Sequence, residues 1–335
     1  MDAADIAEIQ KFEVPRDTLG LHVLYDPKAT TGGFVTDIVA VHGLGGDSFS
    51  TWTDKKTGKM WLKDFLPESR YFHNSRIMTF GYDARAWLQP ASNTKPTGRS
   101  FIFSESLLGA LRSQRILTDT QGRPIIFIGH SLGGIALVLA QARRQLYGDI
   151  YESTKSITFL GTPHQGSRPA DWASYLEKIS QIVGIKRSNV LRELETWSPT
   201  LLDLSRTFNE QLPRLLINSF YEKQMYDGVK VVEEGSATLS YLTEIVDGLD
   251  ANHRTMCKFA DRHSSVYRAV LQQLETRIAA IPKQLPEPKD TEENKSPVKL
   301  PDVPTSEPVP PKTTAGAGVP CSASELERRM KALRK

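Results

Sequence analysis

The chain has 335 residues, enough for one large α/β domain with additions or for two domains, and 39% apolar with 8% aromatic residues supports a sizeable core. The formal charge of +3 does not point to nucleic acid: residues 282–320 carry five Lys against six acids and residues 321–335 five basic against two acidic groups, which leaves residues 1–281 near neutral. The two cysteines, Cys257 and Cys321, lie in different compositional zones, which excludes a disulfide framework and fits a reducing compartment.

The N-terminal extension, residues 1–19, begins MDAADIAEIQKFEVP, with neither a basic n-region nor an apolar h-region, and is not expected to be a secretory signal. An intracellular location is therefore expected, most simply cytoplasmic, with mitochondrial or membrane-peripheral placement as alternatives. Between residues 20 and 281 strand and helix signals alternate, the pattern of a mostly parallel sheet covered on both faces. Strands are predicted at 21–25, 37–41, 76–80, 125–128, 156–160, 215–220 and 229–232, and helices at 105–117, 132–146 and 266–281.

The run PIIFIGHSLGGIALVLAQA, residues 124–142, has no Asp, Glu, Lys or Arg and approaches the ~20 residues of a membrane-spanning helix. Its content argues otherwise. Ile125–Ile128 reads as a strand buried on both faces, Gly129-His-Ser-Leu-Gly-Gly134 as a tight turn, and the following Ala- and Leu-rich segment as a helix. Gly-x-Ser-x-Gly at such a turn is a nucleophile elbow, which holds one serine hydroxyl above a helix N-terminus. Ser131 is thus the candidate nucleophile. Glycines two before and two after it let strand and helix approach closely.

After the fifth predicted strand comes an insertion, about 168–212, with helical patterning (DWASYLEKISQIVGI and NVLRELETWSPTLLDLSRTFNEQL), read as lid-like or as a plain pair of packing helices. Residues 282–320 hold half of the 20 prolines and almost no large apolar residues, and are expected to form a disordered linker. In residues 321–335, Ser324 and Glu327 stand at capping-box spacing and Leu326, Met330 and Leu333 share one helical face. This short basic amphipathic helix would suit a protein or membrane-surface partner, or be a frayed tail. Truncation after Ile281 is expected to leave the melting temperature and any catalysis nearly unchanged, because the linker has no apolar surface to contribute. A large drop in melting temperature would show that the tail packs on the domain.

A serine is a weak nucleophile at neutral pH and needs an imidazole to take its proton and a carboxylate to orient that imidazole. The strand-loop IVAVHGLGG, residues 38–46, suits an oxyanion hole. One donor is the backbone N–H after the nucleophile, at Leu132; the other comes from the loop after an early strand, most simply at Leu44, with His42 shaping the loop. In elbow-type hydrolases the acid and then the histidine follow the serine. His22, His42 and His73 precede it, His130 is its neighbour and His164 follows the next strand; of His253 and His263, His253 lies in a loop before the final helix. The acid is one of Glu222, Asp227, Glu233 and Glu234, with Glu222 preferred because the apolar run RLLINSFYEK stops there. This chemistry calls for no metal and no cofactor.

Together VAVHGLGG, RIMTFGYDA, IGHSLGG, FLGTPHQGS, VVEEGSATL and DANHRTMCKF resemble, in order over residues 20–262, the lipase-like serine esterase family of α/β hydrolases. That family includes the serine-active-site-containing proteins and the hydrolase domains that precede NACHT modules in fungal proteins. The turn VVEEGSA lacks the proline that members often carry after two valines, and no GxxxxGK[ST] motif follows. The resemblance implies an α/β-hydrolase fold with Ser131 and His253 as nucleophile and base. The expected function is a serine esterase acting on a lipid or other acyl ester through an acyl-enzyme. A catalytically silent hydrolase-fold scaffold, or an acyltransferase using the same residues, is the alternative.

Overall fold

A computed structural model describes residues 16–27, 35–84, 97–164, 169–184 and 208–281, all within the first of the two units into which the chain divides, residues 1–284. The expected linker (282–320), tail helix (321–335), most of the N-terminal extension and residues 185–207 of the insertion lie outside the described residues. The strands are β1 (Gly20–Tyr25), β2 (Asp37–Val41), β3 (Arg76–Gly81), β4 (Ile125–His130), β5 (Thr154–Leu160), β6 (Leu216–Glu222) and β7 (Ile245–Leu249). The helices are α1 (Trp61–Asp64), α2 (Thr97–Leu117), α3 (Leu132–Gln141), α4 (Gly148–Ser153), α5 (Pro169–Val183), α6 (Glu234–Ala237) and α7 (Ser265–Ala280).

The strands form one sheet in the order β1-β3-β2-β4-β5-β6-β7, in which β1 runs antiparallel to β3 and every other pairing is parallel. All five residues of β2 and all six of β4 are buried, as interior strands covered on both faces require. Alternate residues feed two cores. Val39, Val41 and Phe127 pack with α2, α3 and α5, whereas Ile38, Ala40 and Ile126 pack with α1 and α7. In α7 the spacing of Tyr267, Val270, Leu274 and Ile278 builds one buried stripe, and Ser264 caps the helix by accepting from the Tyr267 N–H at 3.3 Å.

The chain passes from β2 outward to β3 and then returns to place β4 on the other side of β2. Ligands of open parallel sheets bind beyond the carboxyl ends of the strands at such a reversal. The loop after β2 begins at His42 and the turn after β4 is Ser131, so the two sequence candidates for oxyanion hole and nucleophile flank this point.

Several elements differ from the sequence expectation, among them a strand and a helix end near the site. Residues 229–232 are not a strand: Tyr226 and Val229 make an isolated bridge, and Val231 and Val232 are buried in a loop. The seventh strand is instead β7, at the sheet edge, whose half-buried IVDGL lacks a clean apolar pattern. Helix α3 also ends at Gln141 instead of running to 146. There Gln211 Nε2 donates to the Gln141 carbonyl at 3.2 Å, which satisfies one of the helix-end acceptors, and Arg214 donates to the Gln141 side chain at 2.9 Å.

At the opposite end of the strands, Asp37 holds a buried charge cluster. Arg76 Nε and an Arg76 terminal nitrogen donate to its two oxygens at 3.0 and 2.9 Å, and Arg115 donates at 2.6 Å. All three side chains are essentially inaccessible. Asp37→Asn leaves two guanidinium groups buried without their counter-charge and is expected to cost about 3–5 kcal/mol of stability. Urea unfolding of the variant checks this; a loss below about 1 kcal/mol would mean that the cluster is not held together by Asp37.

Candidate active site

Ser131 follows the last residue of β4 and stands at the N-cap of α3 with φ 55° and ψ −124°. A non-glycine residue there is strained, and strain of this kind marks a nucleophile elbow. The surroundings enforce it. The Ser131 N–H donates to Leu160 O at 2.9 Å, and its carbonyl accepts from the Gly134 N–H at 3.0 Å and from Thr162 Oγ1 at 3.1 Å. A Cβ at Gly129 would lie 2.6 Å from Gly134 Cα, so the strand can meet its own helix only at glycine. The clash at Gly133 is of another kind: a Cβ there would strike the carbonyl oxygens of Val41 and His42, at the end of β2.

The loop after β2 lies against the serine. A Cβ at Gly43 would come within 3.1 Å of Ser131 Oγ, which leaves room only for backbone beside the hydroxyl. Leu44 is the next residue, and Leu132 opens α3, where the first backbone N–H groups lack partners within the helix. His42 is fully buried, which lowers its pKa. Its Nε2 accepts from the Tyr82 N–H at 3.2 Å, so Nδ1 carries the proton and donates to Gly43 O at 2.9 Å. The Tyr82 hydroxyl donates to His42 O at 2.9 Å, completing the frame of the loop.

Glu222 ends β6 and is completely buried, as is His253 but for a few per cent. Glu222 Oε2 lies 3.0 Å from His253 Nδ1, and Oε1 accepts from the N–H groups of Val231 and of Val232, the latter at 2.9 Å. The amides of Val231 and Val232 are thus taken by this carboxylate and not by a strand partner. Since a carboxylate can only accept, Nδ1 carries the proton that faces it, and Nε2 is the nitrogen left for a further partner. The other acid candidates are elsewhere: Asp227 is exposed in a turn at φ 48°, and Glu233 and Glu234 are exposed at the start of α6. His263 is exposed as well.

Sequence reasoning did not foresee two further residues. His130 Nε2 donates to the His253 carbonyl at 2.9 Å with the rings 5.0 Å apart. Burial, then the neighbouring His253, holds its pKa well below the usual value, so it is a neutral prop. Tyr175, from α5, places its hydroxyl 3.0 Å from Ser131 Oγ. The only sequence signal was the helical patterning of DWASYLEKISQIV. A cavity of about 230 Å³ opens beside these groups, lined by the apolar Leu44, Ile179, Ile182 and Val183, by His253, and also by the charged Lys55, Arg254 and Lys258. Among the described residues no cluster of three or more His, Cys, Asp or Glu could hold a metal ion, and no helix is long and apolar enough to cross a membrane.

No family model matches the chain. It is 28% identical over 287 residues to the protein SERAC1 of Bos taurus, a match covering 78% of this chain and 42% of that protein. Over 285 residues it is 26% identical to SERAC1 of Homo sapiens, again covering 78% of this chain and 42% of the relative. The chain thus spans well under half the length of these curated relatives. Among solved structures it is similar to a thermostable carboxyl esterase from Bacillus coagulans, with TM-score 0.45, 9% identity and coverage of 78% of this chain and 100% of that one. It is similar too to the NocB thioesterase domain of the nocardicin cluster, with TM-score 0.42, 12% identity and coverage of 78% and 99%. The curated matches are SERAC1 proteins of animals and lend no support to the narrower resemblance to NACHT-linked fungal proteins. The sheet order, with its reversal between β2 and β4, and the strained turn at Ser131 give this chain the α/β-hydrolase fold.

Proposed function

We propose that the protein is a serine hydrolase that cleaves carboxylic esters through an acyl-enzyme, with Ser131 as nucleophile, His253 as base and Glu222 as its orienting acid. The observation that carries this reading is the buried contact of 3.0 Å between Glu222 and His253 Nδ1, beside a serine held at φ 55°. Ser131 Oγ attacks the ester carbonyl as its proton passes to His253 Nε2. The oxyanion is held by the N–H groups of Leu44 and Leu132, and collapse expels the alcohol, which takes the proton back from His253. Water then repeats the sequence on the acyl-serine. The aliphatic wall of Leu44, Ile179, Ile182 and Val183 supports an acyl chain, of a lipid or another ester, as the group that lies in the cavity.

A second reading, a catalytically silent hydrolase-fold scaffold, has one observation in its favour: Ser131 Oγ is bonded to Tyr175, while His253 Nε2 has no hydrogen-bond partner among the described residues. Incubation with p-nitrophenyl esters of increasing chain length, beside labelling with a fluorophosphonate, separates the two. Hydrolysis together with labelling supports the esterase, and the absence of both overturns it.

A further inference from the structure

Helix α5 buries Tyr175 and Ile179 on one face, with Leu176, Ile182 and Val183 packed beside them. Its end reaches the oxyanion loop: a Cβ at Gly45 would meet the Val183 side chain at 2.5 Å. Tyr175 is 4% exposed and its ring belongs to the same core as Leu44 and Leu132. Its hydroxyl is therefore delivered to Ser131 Oγ by a packed helix and not by a free side chain. Burial pushes the phenol above its ordinary pKa, so it stays a neutral hydroxyl at any physiological pH.

Two hydroxyls and one imidazole compete here. The bond between the two hydroxyls can run either way; in the arrangement where Ser131 donates its single proton to Tyr175, that proton is not offered to His253, and the nucleophile is activated only by the imidazole. In this structure the serine is paired with Tyr175 at 3.0 Å, and the buried Nε2 of His253, aligned by Glu222, has no partner among the described residues. Ser131 itself is 1% exposed and, unlike His253, does not line the neighbouring cavity. Both halves of the site are built, yet the bond that joins them is not made.

We infer that Tyr175 is a latch: its hydroxyl holds Ser131 away from His253 in the resting protein, and the serine becomes a nucleophile when substrate entering against α5 breaks that hydrogen bond. The inference rests on the hydrolase reading above and adds to it a positioning residue that sets how much of the enzyme is competent. A latch of one neutral hydrogen bond is worth a factor of about three to ten in the competent fraction. The sign is the informative part. A tyrosine that held Ser131 in its attacking position, or donated to the oxyanion, would slow the reaction when lost, whereas a latch speeds it.

The test is the rate of fluorophosphonate labelling of the full chain. In that step Ser131 Oγ bonds to phosphorus, the P–F bond breaks, fluoride leaves and the hydroxyl proton passes to His253 Nε2. Wild type is compared with Tyr175→Phe, which keeps the ring and removes the hydroxyl, and with Ser131→Ala as the unlabelled control. Labelling of Tyr175→Phe about three- to tenfold faster than wild type, at unchanged melting temperature, is expected. The unchanged melting temperature is what separates release of the serine from loosened packing, which would lower it. If Tyr175→Phe folds poorly, labelling is compared below the variant's melting transition, on folded protein alone. Equal or slower labelling of the variant, with wild type labelled, overturns the latch and leaves the hydrolase reading standing. If neither is labelled, both fall together, because release of the serine has then not yielded a nucleophile.

Discussion

Ser131→Ala is expected to abolish ester hydrolysis and fluorophosphonate labelling, with a fall in kcat on the order of 10⁶, while the protein stays folded. The size follows from the way a nucleophile and its base act as one unit: without the hydroxyl the imidazole has no proton to take, and what remains is catalysis by binding and oxyanion donors alone. Folding survives because the strain is in the backbone. Alanine at φ 55° is as strained as serine, and the bonds from the residue 131 N–H to Leu160 O and to its carbonyl from Gly134 N–H and Thr162 Oγ1 do not involve the side chain. The one side-chain bond lost is that to Tyr175, worth about 1 kcal/mol. Hydrolysis of a p-nitrophenyl ester and a thermal melt, run on the same preparation, check both halves. Equal turnover in wild type and variant would remove Ser131 from the mechanism, and unfolding of the variant would show that the hydroxyl supports the elbow itself.

The elbow was legible in the sequence because its physical requirements are local: an apolar strand, glycines where a Cβ has no room, and a helix directly after. Gly129, Ser131 and Gly133 meet that demand within five residues. The meeting of His253 with Glu222 was reachable by chain order and by the point where an apolar run stops, since side chains at the carboxyl ends of parallel strands gather at one edge. What could not be read are features set by distant partners. Val231 and Val232 look like strand residues, but their amides are taken by Glu222 and not by a strand partner. Strand β7 is an edge whose Asp247 and Gly248 spoil the apolar pattern, and pairing with β6 is what orders it. Tyr175 reaches Ser131 across 44 residues, through the packing of α5 against the core, and no spacing rule registers such a contact.

Glu222→Gln is expected to lower kcat by a factor on the order of 10³ to 10⁴ with little loss of stability. The new amide can point only one way. Oε1 of Glu222 accepts from the N–H groups of Val231 and Val232, and two donors in a buried site require an oxygen there. The amide oxygen of the substituted side chain takes that place, so its NH₂ group faces His253 Nδ1, where Oε2 of Glu222 lies at 3.0 Å in the wild type. A donor in that position forces Nδ1 to accept. The ring proton moves to Nε2, and the imidazole is locked in the tautomer that cannot take a proton from Ser131. Packing and every hydrogen bond survive, so the defect appears in turnover and not in the melt. Glu222→Ala separates the two contributions, because it also strands the buried amides of Val231 and Val232, at about 1–3 kcal/mol each. It should therefore be both inactive and less stable. Near-normal turnover in Glu222→Gln, with loss in Asp227→Asn or Glu233→Gln, would move the orienting role to one of those exposed acids and require the loop after β6 to rearrange when substrate binds.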